Sequence, residues 1–239
     1  MMLVWSVVAI CLLSVLSLSK SGAEASCTFG SYKHPPGCTA VIDPTNKQLV
    51  DPLPTTNGCA YEARWEPKTD DNTTLSFHVA LRDNTAAKWV GIGLNHVKPS
   101  MEGLDILAAY KKASDDSTIT NDYHTTKYEM PTADSANDLV TPALTTANNY
   151  SLFSFERKLN TGDDKDADLT KQCVHFAFPF TGGPVTSEGG IGKHLSTPIL
   201  MKFCGPGLCM EDQKKGGGRV GGSLFVMIAA SVLLAMLSN

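Results

Sequence analysis

Between residues 75 and 82 apolar and polar side chains alternate, with Leu75, Phe77, Val79 and Leu81 set against Ser76, His78, Ala80 and Arg82. A period of two marks a strand with one buried face, so a strand is predicted here with His78 on its polar side. Cys173 to Phe180 alternates in the same way through Val174, Phe176, Phe178 and Phe180, which sets His175 opposite the phenylalanines. Trp89 to Leu94 and Leu104 to Tyr110 are instead apolar runs, the second carrying the single acid Asp105, and Pro99 and Gly103 punctuate a turn between them. Asn149 to Lys158 and Pro198 to Phe203 complete the predicted strands. No helical apolar stripe of useful length lies between the two ends of the chain, while turn residues recur between the short strand-like runs. The predicted fold is all-β, an immunoglobulin-like antiparallel β-sandwich.

The ends follow a different pattern. Met1 to Ser19 is an apolar run without acids, and Ala23-Glu24-Ala25 has the small-x-small form of a cleavage site, so residues 1–25 are predicted to be a signal peptide. Leu224 to Leu237 is a second apolar run, shorter than the roughly 20 residues of a spanning helix, with only Ser238 and Asn239 after it. Small residues and a brief polar spacer precede it. That is the layout of a glycosylphosphatidylinositol attachment signal, with Gly216 the first choice of attachment residue and a short tail anchor as the alternative. The expected location is the outer face of the plasma membrane.

The divisions expected in the chain are therefore a signal peptide at 1–25, a cysteine-containing extension at 26–58, one domain at 59–210, and a linker with the attachment signal at 211–239. The extension is dense in prolines, as in His34-Pro35-Pro36-Gly37 and Asp51-Pro52-Leu53-Pro54, and is expected to be irregular and tied down by disulfides. Cys27, Cys38, Cys59, Cys173, Cys204 and Cys209 remain after processing, an even count that suits three disulfides in an oxidising compartment without choosing among their pairings. Asn72-Thr73-Thr74 and Asn149-Tyr150-Ser151 are N-glycan acceptor sequences, expected in surface turns. A net charge of -4 with neither sign strongly clustered gives no reason to expect a nucleic acid partner.

Several chemistries are poorly supported. No Gly-x-Ser-x-Gly occurs, the cysteines lack a redox spacing, and the six histidines form no close metal-binding motif. Asp164, Asp166 and Asp168 match the first ligand positions of an EF-hand loop, but Leu169 stands where glycine is required and His175 where glutamate is required, so a solvated turn is expected. Two residues stand out. Met101 sits in the turn between two predicted strands, and His194 ends a glycine-rich loop, Thr181 to Lys193, whose glycines would permit close approach to a flat ligand. A thioether and an imidazole on two loops can complete the coordination of haem iron.

From about Tyr61 to Phe203 the chain resembles a DOMON domain. The matching stations are Trp65; Trp89-Val90-Gly91-Ile92-Gly93; Met101 with Gly103 and Asp105; Ile119-x-Asn121-Asp122-Tyr123; Pro131 with Asp134; Phe153-Ser154-Phe155-x-Arg157; Asp164 and Asp168; and Phe176-x-Phe178 leading to His194. The resemblance implies a β-sandwich. Haem-binding members, similar to the cytochrome domain of cellobiose dehydrogenase, the lipid-anchored plant cytochromes and the extracellular domain of ferric-chelate reductases, hold haem b by one methionine and one histidine. Met101 and His194 occupy the matching positions. The expected function is haem b-dependent electron transfer rather than catalysis in its own right. A small-molecule reductant or a membrane cytochrome would be the electron partner, and the outer leaflet would hold the chain through its lipid anchor. Other members bind no haem, so a haem-free ligand-binding or adhesion module at the cell surface is the alternative.

Overall fold

The computed structural model describes residues 29–50, 58–82, 88–187, 189–205 and 208. The predicted signal peptide, Cys27, Cys209, Gly216 and the apolar tail lie outside the described residues. Among the described residues no helix is long and apolar enough to cross a membrane.

Twelve strands run in chain order: β1 Gly30–His34, β2 Tyr61–Lys68, β3 Asp71–Arg82, β4 Lys88–Asn95, β5 Asp105–Lys111, β6 Thr118–His124, β7 Thr132–Ala133, β8 Val140–Ala147, β9 Tyr150–Lys158, β10 Cys173–Phe178, β11 Gly183–Pro184 and β12 Ile199–Cys204. They form two sheets, one ordered β1-β2-β3-β9-β8 and the other β12-β10-β4-β5-β6-β7, with β11 also paired to β4. Every pairing between these strands is antiparallel. The expected all-β sandwich is the observed architecture.

The inner faces of both sheets supply the core. Phe77, Val79 and Leu81 of β3, with Phe153 and Phe155 of β9, meet Val90, Ile92 and Leu94 of β4 and Phe176 and Phe178 of β10. Trp65 lies among Phe176, Phe178 and Phe203, with ring centroids 4.7–6.3 Å away. The alternation in β3 and β10 thus reports one buried face, as in any half-covered strand.

β4 and β5 differ because they are buried on both faces. Their inward side chains join the sandwich core, while Trp89, Leu104, Ile106, Ala108 and Tyr110 build a second cluster on the outer side of the same sheet, with Ile191 and Ala177. A strand covered on both sides has no polar face to alternate with. The continuous apolar runs in the sequence record this second covered face.

The extension is less irregular than expected. Gly30–His34 forms β1 and pairs with β2, Gly30 opposite Trp65 and His34 opposite Tyr61. Farther on, Val41 and Ile42 pack with Cys59, Ala80, Tyr150 and Leu152, so the extension covers part of the first sheet's outer face. Ala80, on the polar side of the β3 alternation, is buried for that reason. The backbone N–H groups of Val41 and Ile42 donate to Glu62 Oε2 at 2.7 and 3.2 Å, and Arg64 Nε donates to the other oxygen at 2.6 Å.

Disulfides join Cys38 to Cys59 and Cys173 to Cys204. The first links the extension to the residue two before β2, with a sequence separation of 21. Closing a loop of that size limits the unfolded chain, so the Cys38→Ala/Cys59→Ala double variant should lose about 3 kcal/mol of stability in urea unfolding. Asn149 is exposed at the tip of the β8–β9 hairpin, where Asn148 and Asn149 have φ of 51° and 64°, as a two-residue type I′ connection requires. Asn72 is exposed too, near the start of β3.

His78 lies on the outer face of β3, as expected, opposite Arg64 on β2 and Ser154 on β9. Burial, aided by the charge of nearby Lys47, holds its pKa below the ordinary histidine value, while Glu66 opposes and Arg64 adds to the shift. The unfolded chain therefore takes up this proton before the folded chain does, and stability falls as pH drops through the unfolded-state value. His78→Gln should flatten the fall in melting temperature between about pH 7 and about pH 5.

Candidate functional site

The outer face of the second sheet carries a cavity of about 270 Å³. Its floor is made by β4, β5 and β10, through Trp89, Gly93, Leu104, Ile106 and Ala177. A Cβ on Gly93 would stand 2.8 Å from Leu104 Cδ2, so this position has no room for a side chain beneath the cavity. The walls are loops. Met101 comes from the β4–β5 connection, Thr125 to Pro131 from the β6–β7 connection, and Gly192, Lys193 and His194 from the segment before β12. Met101 and His194, singled out separately in the sequence, line the same cavity.

The Met101 loop is held from inside by Asn95, which is 2% exposed. Asn95 Nδ2 donates to the carbonyls of Ser100 and Glu102 at 3.3 and 3.0 Å, and its Oδ1 accepts from the N–H groups of Val97 and Lys98 at 2.9 and 3.1 Å. One side chain thus satisfies four backbone groups of a turn that makes few ladder bonds of its own. Thr125 closes the other side, its hydroxyl donating to the Met101 carbonyl and accepting from Leu104 N–H. Gly103, at φ 68°, makes the left-handed step that returns the chain to β5. Neither Asn95 nor Thr125 stood out in the sequence. An asparagine closing an apolar strand just before a turn is the signal that could have found the first.

The His194 loop folds back on itself. Gly192 N–H donates to the Pro184 carbonyl at 2.7 Å, Trp89 Nε1 donates to the Gly192 carbonyl at 2.9 Å, and Leu195 N–H donates to the Gly182 carbonyl at 3.0 Å. A Cβ on Gly183 would come within 2.6 Å of the Lys193 carbonyl and 2.7 Å of Trp89 Nε1. The glycines expected to admit a flat ligand mainly let the loop pack against itself and Trp89, although Gly192 also lines the cavity.

His194 is half-buried, and its Nδ1 has no hydrogen-bond partner. Burial lowers its pKa below the ordinary value, only partly offset by the backbone of Ser196 and of His194 itself. The ring is therefore neutral near pH 7, the form in which an imidazole ligates a metal. Met101 is part-buried and packs against the apolar cluster on the cavity floor. Lys127, Glu129 and Lys193 put charges among the lining residues. His175, by contrast, pairs in register with Asn95 and Lys202 and is not among them.

A second group of polar side chains is buried between the sheets. Arg157 of β9, fully buried, donates from Nη2 to Asp105 Oδ2 of β5 at 2.7 Å and to the Ala167 carbonyl at 3.1 Å. Asp166 Oδ2 is 3.3 Å from the same nitrogen. Asp166 is only 6% exposed, so the solvated turn expected for the acidic segment does not extend to it. Burial, then the charges of Asp105 and Asp166, push the Asp122 carboxyl up to about 10, and burial with the Asp105 charge pushes Asp166 up to about 6.

The DOMON domain family profile matches residues 57–181, more than half of the chain. The chain belongs to the DOMON domain family. The matched segment of this DOMON domain contains Met101 and stops short of His194. Comparison with curated proteins finds no match. Among solved structures it is similar to the cytochrome domain of Myriococcum thermophilum cellobiose dehydrogenase, at 14% identity and a TM-score of 0.44, covering 70% of this chain and 88% of that one. It is also similar to the cytochrome b domain of pyranose dehydrogenase from Coprinopsis cinerea, at 19% identity and a TM-score of 0.39, covering 59% of this chain and 76% of that one.

Proposed function

We propose that this DOMON domain binds haem b in the cavity on its second sheet, where Met101 and His194 would hold the iron, and passes single electrons at the outer face of the plasma membrane. One observation carries the reading: a thioether and a neutral imidazole, from two loops far apart in sequence, line one apolar cavity. The residues fit the group. His194 has an unsatisfied buried ring nitrogen, the floor is apolar and without a side chain at Gly93, and Lys193 lies at the rim, as does Lys127, whose Nζ is 3.4 Å from Glu129 Oε2, so positive charge stands near two carboxylates held there.

Bound there, haem would supply a one-electron couple. The chain's part is to hold and insulate it. Asn95 and Thr125 fix the backbone that presents Met101, the Trp89–Gly192 hydrogen bond fixes the loop that presents His194, and the Leu104 and Ile106 side chains exclude water from the floor. Met101 and His194 would both hold the iron, a protein ligand set that suits electron transfer rather than substrate binding. The electron partner is a small-molecule reductant or a membrane cytochrome. The lipid anchor at Gly216 and glycans at Asn72 and Asn149 belong to the same proposal, supported by the terminal sequence patterns and by the exposure of both asparagines.

The packing of Met101 against the floor cluster favours a second reading, in which the thioether is a wall of a haem-free ligand pocket. The haem-loaded protein separates the two. Electron transfer requires reversible reduction by a small reductant such as ascorbate, with unchanged haem content on reoxidation. A protein that takes up no haem, or loses it on each cycle, supports the haem-free pocket.

A further inference from the structure

The geometry points to a second site, for a divalent cation of the calcium type, between the carboxylates of Asp105, Asp122 and Asp166. It lies on the inner side of β5, away from the cavity face carrying Leu104 and Ile106, and does not depend on the haem reading.

Each of the three residues offers a carboxylate oxygen, and these oxygens lie within 4.8 Å of one another. Oxygens on opposite sides of a calcium ion, at 2.3–2.6 Å from it, are about 4.6–5.2 Å apart, so three oxygens this close can share one ion. Magnesium dehydrates reluctantly and usually keeps several waters, which a buried set of carboxylates does not favour. The donors are unsatisfied as well as close. Asp105 and Asp122 are each 1% exposed, and among the described residues no N–H donates a hydrogen bond to Asp105 Oδ1, Asp122 Oδ2 or Asp166 Oδ2; the Asp105 and Asp122 carboxyls are left to each other, and Asp166 Oδ2 has only Arg157 Nη2 at 3.3 Å. Buried carboxylate oxygens are expensive to leave in that condition.

Charge gives the valence. Among these side chains Arg157 is the cation, and its Nη2 is committed to Asp105 Oδ2, the oxygen opposite the unsatisfied one. Without an ion the buried Asp122 carboxyl keeps its proton beside Asp105; once a cation displaces that proton, three carboxylates and one guanidinium sum to two negative charges, the number a divalent ion cancels. The donors come from β5, β6 and the segment between β9 and β10, so the ion would tie that segment to the second sheet. This is a different arrangement from an EF-hand loop, whose ligands come from one stretch of chain. Of the three acids in the EF-hand-like run, only Asp166 takes part.

The test uses the full chain as purified, treated with EDTA and dialysed, then given calcium or magnesium. Equilibrium dialysis should find one calcium per chain, and calcium should raise the melting temperature saturably while equal magnesium raises it less. Asp122→Asn and Asp166→Asn keep side-chain shape and should abolish both effects, whereas Asp164→Asn, on an exposed residue, should change neither. Where an aspartate variant does not fold, the wild-type comparison still decides. Equal melting temperatures in EDTA and millimolar calcium, with no calcium retained, would overturn the site. So would calcium binding that persists in both folded Asn variants or is lost in Asp164→Asn.

Discussion

Replacing Arg157 by methionine is expected to destabilise the domain by about 3–5 kcal/mol, a fall in melting temperature of about 6–20 °C. Methionine fills comparable space, so the loss does not come from a void. It comes from Asp105, a carboxyl that is 1% exposed and would lose its guanidinium partner, leaving Ala167 N–H at 2.9 Å. Arg157 also joins the two sheets, reaching from β9 to β5, and holds the Ala167 carbonyl. The arginine is required because the aspartate is there. Arg157→Met combined with Asp105→Asn should therefore recover part of the lost stability in urea unfolding. Equal losses in the single and double variants would mean that the cost lies elsewhere.

The second large effect concerns haem retention. His194→Ala should lose most of the bound haem, since imidazole is the stronger ligand of the pair. Met101→Leu keeps volume and apolarity and should cost less than about 1.5 kcal/mol in folding. It removes the sulfur, so the variant should bind haem with a lowered reduction potential and, once reduced, bind carbon monoxide where the unaltered protein does not. Stability and spectrum would then separate. His175→Ala, in register with Asn95 and Lys202 outside the cavity, should leave the spectrum intact, and so should His78→Ala on the other sheet. Loss of haem from His175→Ala with retention in His194→Ala would reverse the ligand assignment.

Strands with a simple periodic signal were legible in the sequence. β3 and β10 alternate because one face is core, and β4 and β5 run continuously apolar because both faces are covered. β2 was hidden by Glu62 and Arg64, charged residues at positions that a lone strand would expose. They are buried because the extension donates two backbone N–H groups to Glu62, a partner far away in sequence. β8 was hidden by Pro142 at an irregularity between Val140 and Ala143, which a strand at the end of its sheet tolerates because one side makes no ladder. β1 was masked by the prolines that follow it.

Of the site, Met101 and His194 could be picked out in the sequence as a candidate pair, a thioether and an imidazole on two loops at positions matching the DOMON resemblance; alone, a turn methionine reads as packing and a loop histidine as an exposed one. The residues that hold them could not be picked out. Asn95 acts through hydrogen bonds to its own turn, and Trp89 fixes Gly192 across 103 residues of chain, contacts that no local pattern encodes. Asp105 could be seen as one acid in an apolar run, yet its partner Arg157 is 52 residues away and becomes visible only once β5 and β9 face each other.

Titrating haem-free protein with hemin while following the Soret band decides whether the cavity is a haem site. An intense, shifted band that saturates at one haem per chain is expected, with weak or no saturable binding in the Met101→Leu/His194→Ala double variant. A spectrum that remains that of free hemin, or one that is the same in the wild type and the double variant, would contradict it.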